Sequence, residues 1–413
     1  MLALGCRTGI YHERPVFHTT RRPALTRRQE TGVSSADQKP DLKVILSVEA
    51  VEPHLSGIGR YSLELARRMD TVEGVSDVRF YRNGRWIAEP EKLLQSPLIG
   101  AKWQRWLRRR IPLIRDMEHR KTQRLGRSHL FHGPNFFLPE IGEGGVITVH
   151  DLSVFRYPEM HPEERLRYFD REFSKSVGRA GHVITDSETM RREVIETLSL
   201  KPDDVTAVPL GVDSAFHPRS GGLLHKALEH YDLTPDEYAL CVSTVEPRKR
   251  LAELLIAWEM LPSSIRSRWP LIVTGGAGWL SEKVHRLMDK GQREGWVRYL
   301  GYIPEPDLPI FYAGARLFVY PSVYEGFGLP PIEAMASGTP TIVADASCLP
   351  EVTAGGAMLT QPENPATFAH DLERALTDEQ WRMAARTRGL AVAAGYSWQR
   401  CAVSTVAVYR KLR

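Results

Sequence analysis

Short apolar runs alternate with amphipathic stretches along most of the chain. Residues 42–48 are apolar except for one lysine and one serine, and a loop that contains glycines follows them. Residues 61–69 then space leucine, alanine and methionine so that these side chains share one side of a helix. This order predicts a strand, a glycine loop and a helix, as in the first unit of a Rossmann-type domain.

The same alternation continues through the rest of the chain and is interrupted once. It predicts strands at 75–81, 146–149, 182–185, 205–208, 238–245, 271–274, 297–300, 315–320 and 341–343. It predicts helices at 162–177, 190–198, 251–260, 281–294 and 331–336, with more helix up to the C-terminus. The interruption, at 213–236, contains a Gly-Gly pair and two prolines but no strong strand pattern.

Strands that alternate with helices indicate a parallel sheet covered by helices on both faces. We therefore expect an α/β protein with two doubly wound, Rossmann-like domains, at 41–212 and 237–395, that face a central cleft. Residues 213–236 would be the interdomain connection. Residues 1–40 are rich in Arg, Thr, Pro and Ser, and we expect them to be a disordered leader or the product of a start codon assigned too early.

Composition agrees with a globular protein of two or three domains. The chain has 413 residues, of which 42% are hydrophobic and 25% are charged. No charge-free run approaches the roughly 20 apolar residues that a membrane-spanning helix needs, which excludes an integral membrane protein of the helical kind. The four cysteines are far apart and form no Cys-x-x-Cys pair, so neither a disulfide framework nor a structural zinc site is expected, and a reducing compartment such as the cytoplasm is favoured.

The positive charge is concentrated in two segments. The whole chain carries +5, but residues 1–40 hold seven basic and three acidic residues, and residues 101–127 hold ten basic and two acidic residues. The remainder of the chain is therefore slightly acidic. This distribution argues against a general nucleic-acid-binding surface, and we expect no nucleic-acid partner.

The strongest chemical signal is the run from Tyr324 to Pro340, which follows a predicted strand. Gly326 and Gly328 would let backbone N–H groups approach a ligand at the start of a helix, where partial positive charge favours phosphate. Glu325 and Glu333 lie eight residues apart, and each carboxylate can accept two hydrogen bonds from sugar hydroxyls. The alternative is a tight loop whose two acids only offset the helix dipole.

A second chemical signal is a pair of cations that follows the first predicted strand of the C-terminal half of the chain. Arg248 and Lys249 would face the cleft from the carboxyl end of a parallel sheet, where adjacent cations can bind a diphosphate. A solvated turn is the alternative for such a pair.

Taken together, these motifs resemble retaining glycosyltransferases of family 4, which have the GT-B fold, and the resemblance extends over about residues 42–413. Its central element is the Glu-x7-Glu signature at Glu325 and Glu333. The other matching motifs are Ser56-Gly57-Ile58-Gly59-Arg60-Tyr61, His132-Gly133-Pro134-Asn135, His150-Asp151-Leu152, Pro209-Leu210-Gly211-Val212-Asp213, Thr244-Val245-Glu246-Pro247-Arg248-Lys249-Arg250 and Gly301-Tyr302-Ile303-Pro304.

The resemblance implies roles for individual residues. It makes His150, Glu325, Arg248 and Lys249 the catalytic group, with Arg248 and Lys249 also on the donor pyrophosphate. It implies that the donor is bound by Gly57, Gly59, Tyr302, Ile303, Gly326, Phe327, Gly328, Leu329 and Glu333, with Glu333 on the ribose and Tyr302-Ile303 near the base. It also implies that residues 396–413 form a helix that crosses back to the first domain.

The implied reaction is transfer of a hexose from a nucleoside-diphosphate sugar to a glycan hydroxyl, with retention at the anomeric carbon. The first domain would hold the acceptor and the second the donor, and Glu325 would stabilise the sugar. The stretches around His150 and Gly211 are most similar to bacterial mannosyl- or rhamnosyltransferases of O-antigen or exopolysaccharide synthesis. This similarity favours a GDP-sugar as the donor. No Asp-x-Asp motif is present, so no metal and no cofactor are expected.

Two other classes of function remain open from the sequence. A sugar-nucleotide epimerase can share this architecture, and it would act on the donor without an acceptor. A catalytically silent scaffold would instead depend on the Trp- and Arg-rich segment within 101–127. That segment could bind an anionic membrane surface and so reach a lipid-linked acceptor on the cytoplasmic face of the inner membrane, or it could be a helix docked on the protein with its arginines in solvent.

Overall fold

The computed structural model of the protein describes residues 41–95, 128–279 and 281–413. The expectations for the leader at 1–40 and for the Arg-rich segment at 101–127 lie outside these residues. Within the described ranges, no helix is both long enough and apolar enough to cross a membrane.

Two separate sheets confirm the predicted α/β class. The strands of the first sheet are β1 (Leu42–Ser47), β2 (Val75–Arg82), β3 (Arg85–Ile87), β4 (Leu130–Gly133), β5 (Val146–Val149), β6 (His182–Thr185) and β7 (Val205–Ala207). Their spatial order is β3-β2-β1-β4-β5-β6-β7, and only β3 runs antiparallel to its neighbour. The chain order therefore reverses between β1 and β4, which is the point where ligands bind in such sheets.

The second sheet is parallel throughout. Its strands are β8 (Ala239–Val242), β9 (Leu271–Thr274), β10 (Val297–Tyr299), β11 (Leu317–Tyr320), β12 (Thr341–Ala344) and β13 (Met358–Thr360). They are arranged in the order β10-β9-β8-β11-β12-β13, which is the doubly wound order of a Rossmann fold. The chain order reverses between β8 and β11, so this sheet also has a ligand-binding edge.

Helices cover both faces of each sheet. In the first half they are α1 (Gly57–Arg68), α2 (Ser153–Arg156), α3 (Glu163–Arg179), α4 (Glu188–Leu198) and α5 (Gly222–Glu229). In the second half they are α6 (Leu251–Glu259), α7 (Ser263–Arg268), α8 (Glu282–Arg293), α9 (Leu308–Gly314), α10 (Leu329–Ala336), α11 (Leu349–Thr353), α12 (Pro365–Thr377), α13 (Glu379–Ala393) and α14 (Trp398–Arg410).

The first helix starts earlier than its apolar pattern predicts. The side chain of Ser56 accepts a hydrogen bond from the Gly59 N–H at 3.1 Å and so caps the helix at Gly57. Residues 57–60 are therefore the first turn of α1, and the predicted glycine loop ends at Ser56. This difference matters because the turn presents Gly57 and Arg60 towards the second domain.

The segment between the sheets contains a helix that the sequence did not predict. α5 buries Leu224 and Leu228 against Tyr238 and Phe311 of the second half. Two leucines at i and i+4 are a weak signal beside a Gly-Gly pair, which explains why this helix was missed.

The chain returns to the first sheet at its C-terminus. Val212 pairs with Ser397 in an isolated parallel bridge, and α14 then packs against α1. Tyr409 of α14 forms a 2.6 Å hydrogen bond to Nδ1 of His132 on β4. A single apolar cluster contains residues of β1, α1, α10 and α14, so the two halves share part of their core.

Candidate active site

A cavity of about 480 Å³ lies in the cleft between the carboxyl edges of the two sheets. The side chains on its wall that can carry charge or polar chemistry include Arg60, His150, Asp151, Asp186, Arg248, Lys249, Tyr302, Glu305, Tyr320, Glu325 and Glu333. Most of them follow a parallel strand or begin a helix at this edge. The structure thus brings together the motif residues that are distant in sequence.

Arg248 and Lys249 lie on a short 3-10 turn, Pro247–Lys249, which begins five residues after the end of β8. Arg250 ends the turn in the left-handed region, with φ of 52°. Arg248 Nη1 donates hydrogen bonds to the Tyr324 carbonyl at 2.8 Å and to Glu325 Oε2 at 3.1 Å. The turn is therefore fixed against the loop that follows β11.

Both oxygens of Glu325 are occupied by donors. Oε1 accepts from the ammonium of Lys249 and from the Tyr320 hydroxyl, the latter at 2.9 Å, while Oε2 accepts from Arg248. Burial alone would raise the pKa of Glu325, but Lys249 and Arg248 outweigh it and lower the pKa to about 2. This carboxylate is ionised at any physiological pH.

Glu246 is a second buried counterion that the sequence did not single out. Its side chain is 3% exposed, and Oε1 lies 2.9 Å from Arg248 Nη2 and 4.0 Å from Lys249 Nζ. Asp151 of the first half is a third counterion, so Glu325, Asp151 and Glu246 together balance the two cations. Within the described part of the chain, no acceptor reaches the buried Nε of Arg248, so this N–H is available to a ligand.

Glu333 lies on α10 at the opposite end of the cavity. Burial raises the pKa of its carboxyl above the ordinary 4.5, and Arg60 only partly offsets this. Arg60 Nε is 3.9 Å from Glu333 Oε1, and Arg60 Nη2 donates to Glu305 Oε1. Arg60 belongs to the first half of the chain and both glutamates to the second, so these contacts cross the cleft.

His150 follows β5, as predicted, and lines the cavity. Nδ1 is 2.7 Å from Asp186 Oδ2, and Nε2 is 2.7 Å from the Pro134 carbonyl. Burial lowers the pKa of His150, but Asp186 outweighs this and raises it. Both ring nitrogens are engaged, so a sugar hydroxyl could bond to either of them only by displacing Asp186 or the Pro134 carbonyl.

Gly326 has a steric role that the sequence interpretation did not include. A Cβ at this position would lie 1.6 Å from the His150 carbonyl oxygen, which belongs to the opposite wall. Only glycine allows the two walls to approach this closely. Gly328 differs, because its φ of 93° is the left-handed conformation that precedes α10.

Of the two glycines in the first motif, only Gly57 lines the cavity. A Cβ on Gly57 would meet only Leu329 Cδ1, at 3.7 Å, whereas one on Gly59 would lie 2.6 Å from the Ala50 carbonyl oxygen. Gly59 faces the loop after β1. We therefore correct the expectation that both glycines line the cleft: Gly59 serves the packing of this loop.

The remaining predicted donor residues all reach the cavity. Tyr302 is 40% exposed, and its ring contacts His54 of the first half at a centroid distance of 4.7 Å. Ile303, Phe327 and Leu329 are buried and contribute apolar wall.

Several hydrogen bonds join the two halves beside Glu325. Ser187 caps α4 by accepting from Met190 N at 3.2 Å, and its hydroxyl also donates to the Gly326 carbonyl at 2.8 Å. The Leu152 N–H donates to the Tyr324 hydroxyl at 3.1 Å. Glu351 accepts from the Glu188 and Thr189 N–H groups at 2.8 and 2.7 Å.

The polar residues of this cavity or its counterions that the sequence did not assign to the site include Arg60, Asp186, Glu246, Glu305 and Tyr320. Arg60, Glu246 and Glu305 lie within or next to motifs that were quoted for other residues. Asp186 and Tyr320 lie at the carboxyl ends of β6 and β11. Because ligands bind at the carboxyl edge of a parallel sheet, the position of these two residues at strand ends could have identified them as site residues. The described residues include no group of three His, Cys, Asp or Glu side chains arranged to hold a metal.

Comparison with known proteins agrees with this geometry. The family model described as Glycosyltransferase Family 4 matches residues 55–216, and the model described as Glycosyl transferases group 1 matches residues 229–390. The chain is 37% identical over 381 residues to O-antigen chain mannosyltransferase B of Escherichia coli, a match that covers 90% of this chain and all of that protein. It is 30% identical over 274 residues to the serotype-specific mannosyltransferase WbdA of Escherichia coli, but this match covers 65% of the chain and only 33% of WbdA.

Solved structures share the fold at low identity. Sucrose-phosphate synthase from Thermosynechococcus elongatus superposes with a TM-score of 0.66 at 20% identity, over 90% of this chain and 99% of that one. HepE from Anabaena, solved with UDP and glucose, superposes with a TM-score of 0.64 at 17% identity over the same shares. The fold, the motifs and the 37% identical relative together show that the chain belongs to the GT-B glycosyltransferases of family 4 and group 1.

Proposed function

We propose that this glycosyltransferase moves a hexose, mannose in preference to rhamnose, from a GDP-sugar to a hydroxyl of a growing O-antigen glycan in lipopolysaccharide synthesis. The proposal is supported by the relatives, because the two described above are named as mannosyltransferases and the first as an O-antigen chain enzyme. The cavity between two Rossmann-like sheets is the kind of site that binds a nucleotide sugar.

The observation that carries the mechanism is the hydrogen-bonded cage around Glu325. A carboxylate whose two oxygens accept from Lys249, Tyr320 and Arg248 is a poor nucleophile, because attack would require it to lose these donors. We therefore assign Glu325 to electrostatic stabilisation of the reacting sugar. Retention would follow from attack of the acceptor hydroxyl on the face that the diphosphate leaves, with the departing phosphate taking the hydroxyl proton.

The donor would span the cavity from Arg248 to Glu333. Arg248 and Lys249 would bind the diphosphate, and the loop from Gly326 to Leu329 would direct backbone N–H groups towards it at the start of α10. Glu333 would accept hydrogen bonds from the ribose hydroxyls.

At the two ends of the donor lie the base and the sugar. Tyr302 and Ile303 would contact the base, Gly57 would face the diphosphate from the first domain, and His150 would orient the sugar. We propose that the cations replace a metal as the counterions of the leaving diphosphate.

A donor panel tests this assignment. Thermal unfolding is measured with GDP-mannose, GDP-rhamnose, UDP-glucose and the free nucleotides, with and without EDTA, and a selective rise in melting temperature identifies the donor. The selected donor is then incubated with an O-antigen acceptor, and the anomeric configuration of the product is read by NMR. Selective stabilisation by a GDP-sugar, EDTA-insensitive transfer and a retained configuration are expected.

Other outcomes would replace the proposal. Conversion of the donor without acceptor would indicate an epimerase, and absence of any nucleotide-sugar binding would indicate a scaffold. An inverted product would contradict the assignment of Glu325, and loss of transfer in EDTA that Mg²⁺ restores would contradict metal independence.

We further propose that the acceptor is lipid-linked and that residues 101–127 hold the enzyme at an anionic membrane surface on the cytoplasmic side. The support is the sequence of this segment alone, which combines Trp103 and Trp106 with ten basic residues. Changing Arg108, Arg109 and Arg110 to Gln should reduce binding to phosphatidylglycerol vesicles while donor binding is retained. Unchanged vesicle binding would contradict the proposal.

A further inference from the structure

A single arginine of the first domain reaches two carboxylates of the second. Arg60 lies in the first turn of α1, and its guanidinium donates from Nη2 to Glu305 and approaches Glu333 Oε1 at 3.9 Å through Nε. The Arg60 side chain is 15% exposed and that of Glu333 only 8%. All three side chains line the cavity at the end where Tyr302 lies.

The charges around Glu333 leave Arg60 as its main cationic neighbour. Burial raises the pKa of Glu333, Arg60 lowers it, and the carboxylates of Glu305 and Asp213 raise it again, while the Tyr312 hydroxyl of α9 lowers it. Among the described residues, the main remaining influences on Glu333 without Arg60 would be burial, two carboxylates and a phenol. A buried carboxylate in that setting takes up a proton at a higher pH.

The protonation state of Glu333 determines what it can bind. An ionised carboxylate accepts hydrogen bonds through both oxygens, whereas a protonated one must use one oxygen as a donor. Ribose hydroxyls can donate to both oxygens only in the first case. Arg60 therefore affects the nucleoside site by way of Glu333.

We propose that Arg60 is a positioning residue of the donor site, which reaches across the cleft to hold Glu333 ionised and so makes nucleoside binding depend on closure of the first domain onto the second. This inference rests on the proposed role of Glu333. The proposal adds Arg60, a residue of the first domain, to the donor-binding site. The resemblance places the donor-binding residues in the second domain, with the exception of Gly57 and Gly59.

The test is the pH dependence of donor affinity. GDP-mannose is the probe, because its diphosphate lacks the terminal phosphate whose second pKa is about 6. Calorimetric titrations between about pH 4 and pH 8 compare the wild type with Arg60→Met, Arg60→Lys, Glu305→Gln and Glu333→Gln. Arg67→Met is the matched control, because Arg67 lies on the same helix and pairs with Glu64 at 2.8 Å and with Glu91 at 3.5 Å, and it does not line the cavity.

Donor affinity of the wild type should fall as the pH drops through the pKa of Glu333. In Arg60→Met the pH at which donor affinity falls should be about one unit higher than in the wild type. Donor binding should therefore be about tenfold weaker below the Glu333 pKa and little changed near pH 8. Arg60→Lys should lie between the two, and Arg67→Met should match the wild type. In a Glu333→Gln background, Arg60→Met should cause no further pH-dependent change.

Equal weakening by Arg60→Met at every pH would overturn the proposal and make Arg60 a direct ligand or a structural residue. Glu305→Gln should move the fall to lower pH, because it removes a carboxylate that raises the pKa of Glu333. If Arg60→Met unfolds, as circular dichroism would show, Arg60→Lys decides the question, because equal weakening at every pH in that variant would also overturn the proposal. If the wild type binds UDP-glucose in place of GDP-mannose, the mannosyl proposal fails and the series is run with UDP-glucose. If it binds neither, both proposals fail.

Discussion

The two ends of the cleft are closed by different chemistry. Beside Glu325, the halves meet through hydrogen bonds to backbone groups, through close packing and through the interaction of Asp151 with Arg248; Ser187 bonds to the Gly326 carbonyl, and Gly326 packs on the His150 carbonyl. Beside Glu333, they meet through the Arg60 ion pairs and the His54–Tyr302 ring contact. Close packing of Gly326 on the His150 carbonyl distinguishes the first end, whereas the second depends on a buried carboxylate with a raised pKa and so can be changed by pH.

The same difference separates the two acidic residues of the signature. Glu325 is surrounded by donors of its own domain and has a pKa of about 2, but Glu333 depends on an arginine of the other domain and has a raised pKa. Two glutamates in one motif therefore differ in what sets their charge. The variants below test this contrast, from the largest expected effect to the smallest.

Lys249→Ala should have the largest effect. It removes an ammonium that contacts Glu325 and that would face the leaving diphosphate, and loss of one such donor typically lowers turnover by about 10² to 10³. Steady-state transfer rates with saturating donor measure this. Lys283→Ala, at an exposed position of α8, is the control and should retain wild-type turnover. A loss of less than about tenfold would show that Lys249 does not act on the reacting groups.

Gly326→Ala tests the shape-dependent end. The added methyl group would overlap the His150 carbonyl, so the walls must separate, and a displacement of about 1 Å can reduce turnover about 10²-fold. Gly178→Ala, where a Cβ meets nothing within 4 Å, controls for the substitution itself. We expect kcat to fall more than donor affinity. A near-normal kcat would mean that the close contact between Gly326 and the His150 carbonyl is not needed for the reaction.

Glu333→Ala tests the other signature acid. Hydrogen bonds to a charged group contribute about 1.5 to 3 kcal/mol, so donor affinity should weaken about 10- to 100-fold. Glu363→Ala, on the exposed surface, should bind donor as the wild type does. Isothermal titration with the donor gives both values, and an unchanged dissociation constant for Glu333→Ala would remove Glu333 from the donor site.

Acidification should affect the two ends of the cleft one after the other, the Glu333 end first and the Glu325 end at lower pH. Glu333 has a raised pKa and protonates above pH 4.5, whereas Glu325 stays ionised down to about pH 2. As the pH falls towards 4.5, the KM for donor should therefore rise about tenfold per unit below the Glu333 pKa while kcat changes little. Initial rates at several donor concentrations separate the two constants. A parallel fall of kcat would show that the His150–Asp186 pair at the sugar end, where both pKa values are raised, titrates in the same range.

Glu351→Gln should have the smallest effect. Its carboxylate accepts three exposed hydrogen bonds from Glu188 and Thr189, and the amide can replace some of them. A loss of up to about 1 kcal/mol in the closed state, or a few-fold in kcat/KM, is expected. Glu363→Gln is the matched control. A loss above about 30-fold would show that this exposed contact, and not the cavity wall, governs closure.

The sequence predicted most of the sheet strands, and most of the candidate site residues that it indicated line the cavity, because apolar runs and strand ends depend on local patterning. It could not predict that Gly59 faces Ala50 while Gly57 faces the cleft, since this depends on where Ser56 caps α1. Nor could it predict that Gly326 meets His150 or that Arg60 meets Glu305. These contacts join residues of two domains, and no spacing within a motif encodes them.

The last helix has a consequence for how the protein is made. α14 buries Trp398, Cys401, Val406 and Tyr409 in the core that contains α1, and Trp398 packs directly on Gly211. The first domain is therefore incomplete until α14 has left the ribosome, although most of that domain is synthesised first. We expect the nascent first domain to expose an apolar face throughout synthesis of the second, and this face is where a chaperone would bind.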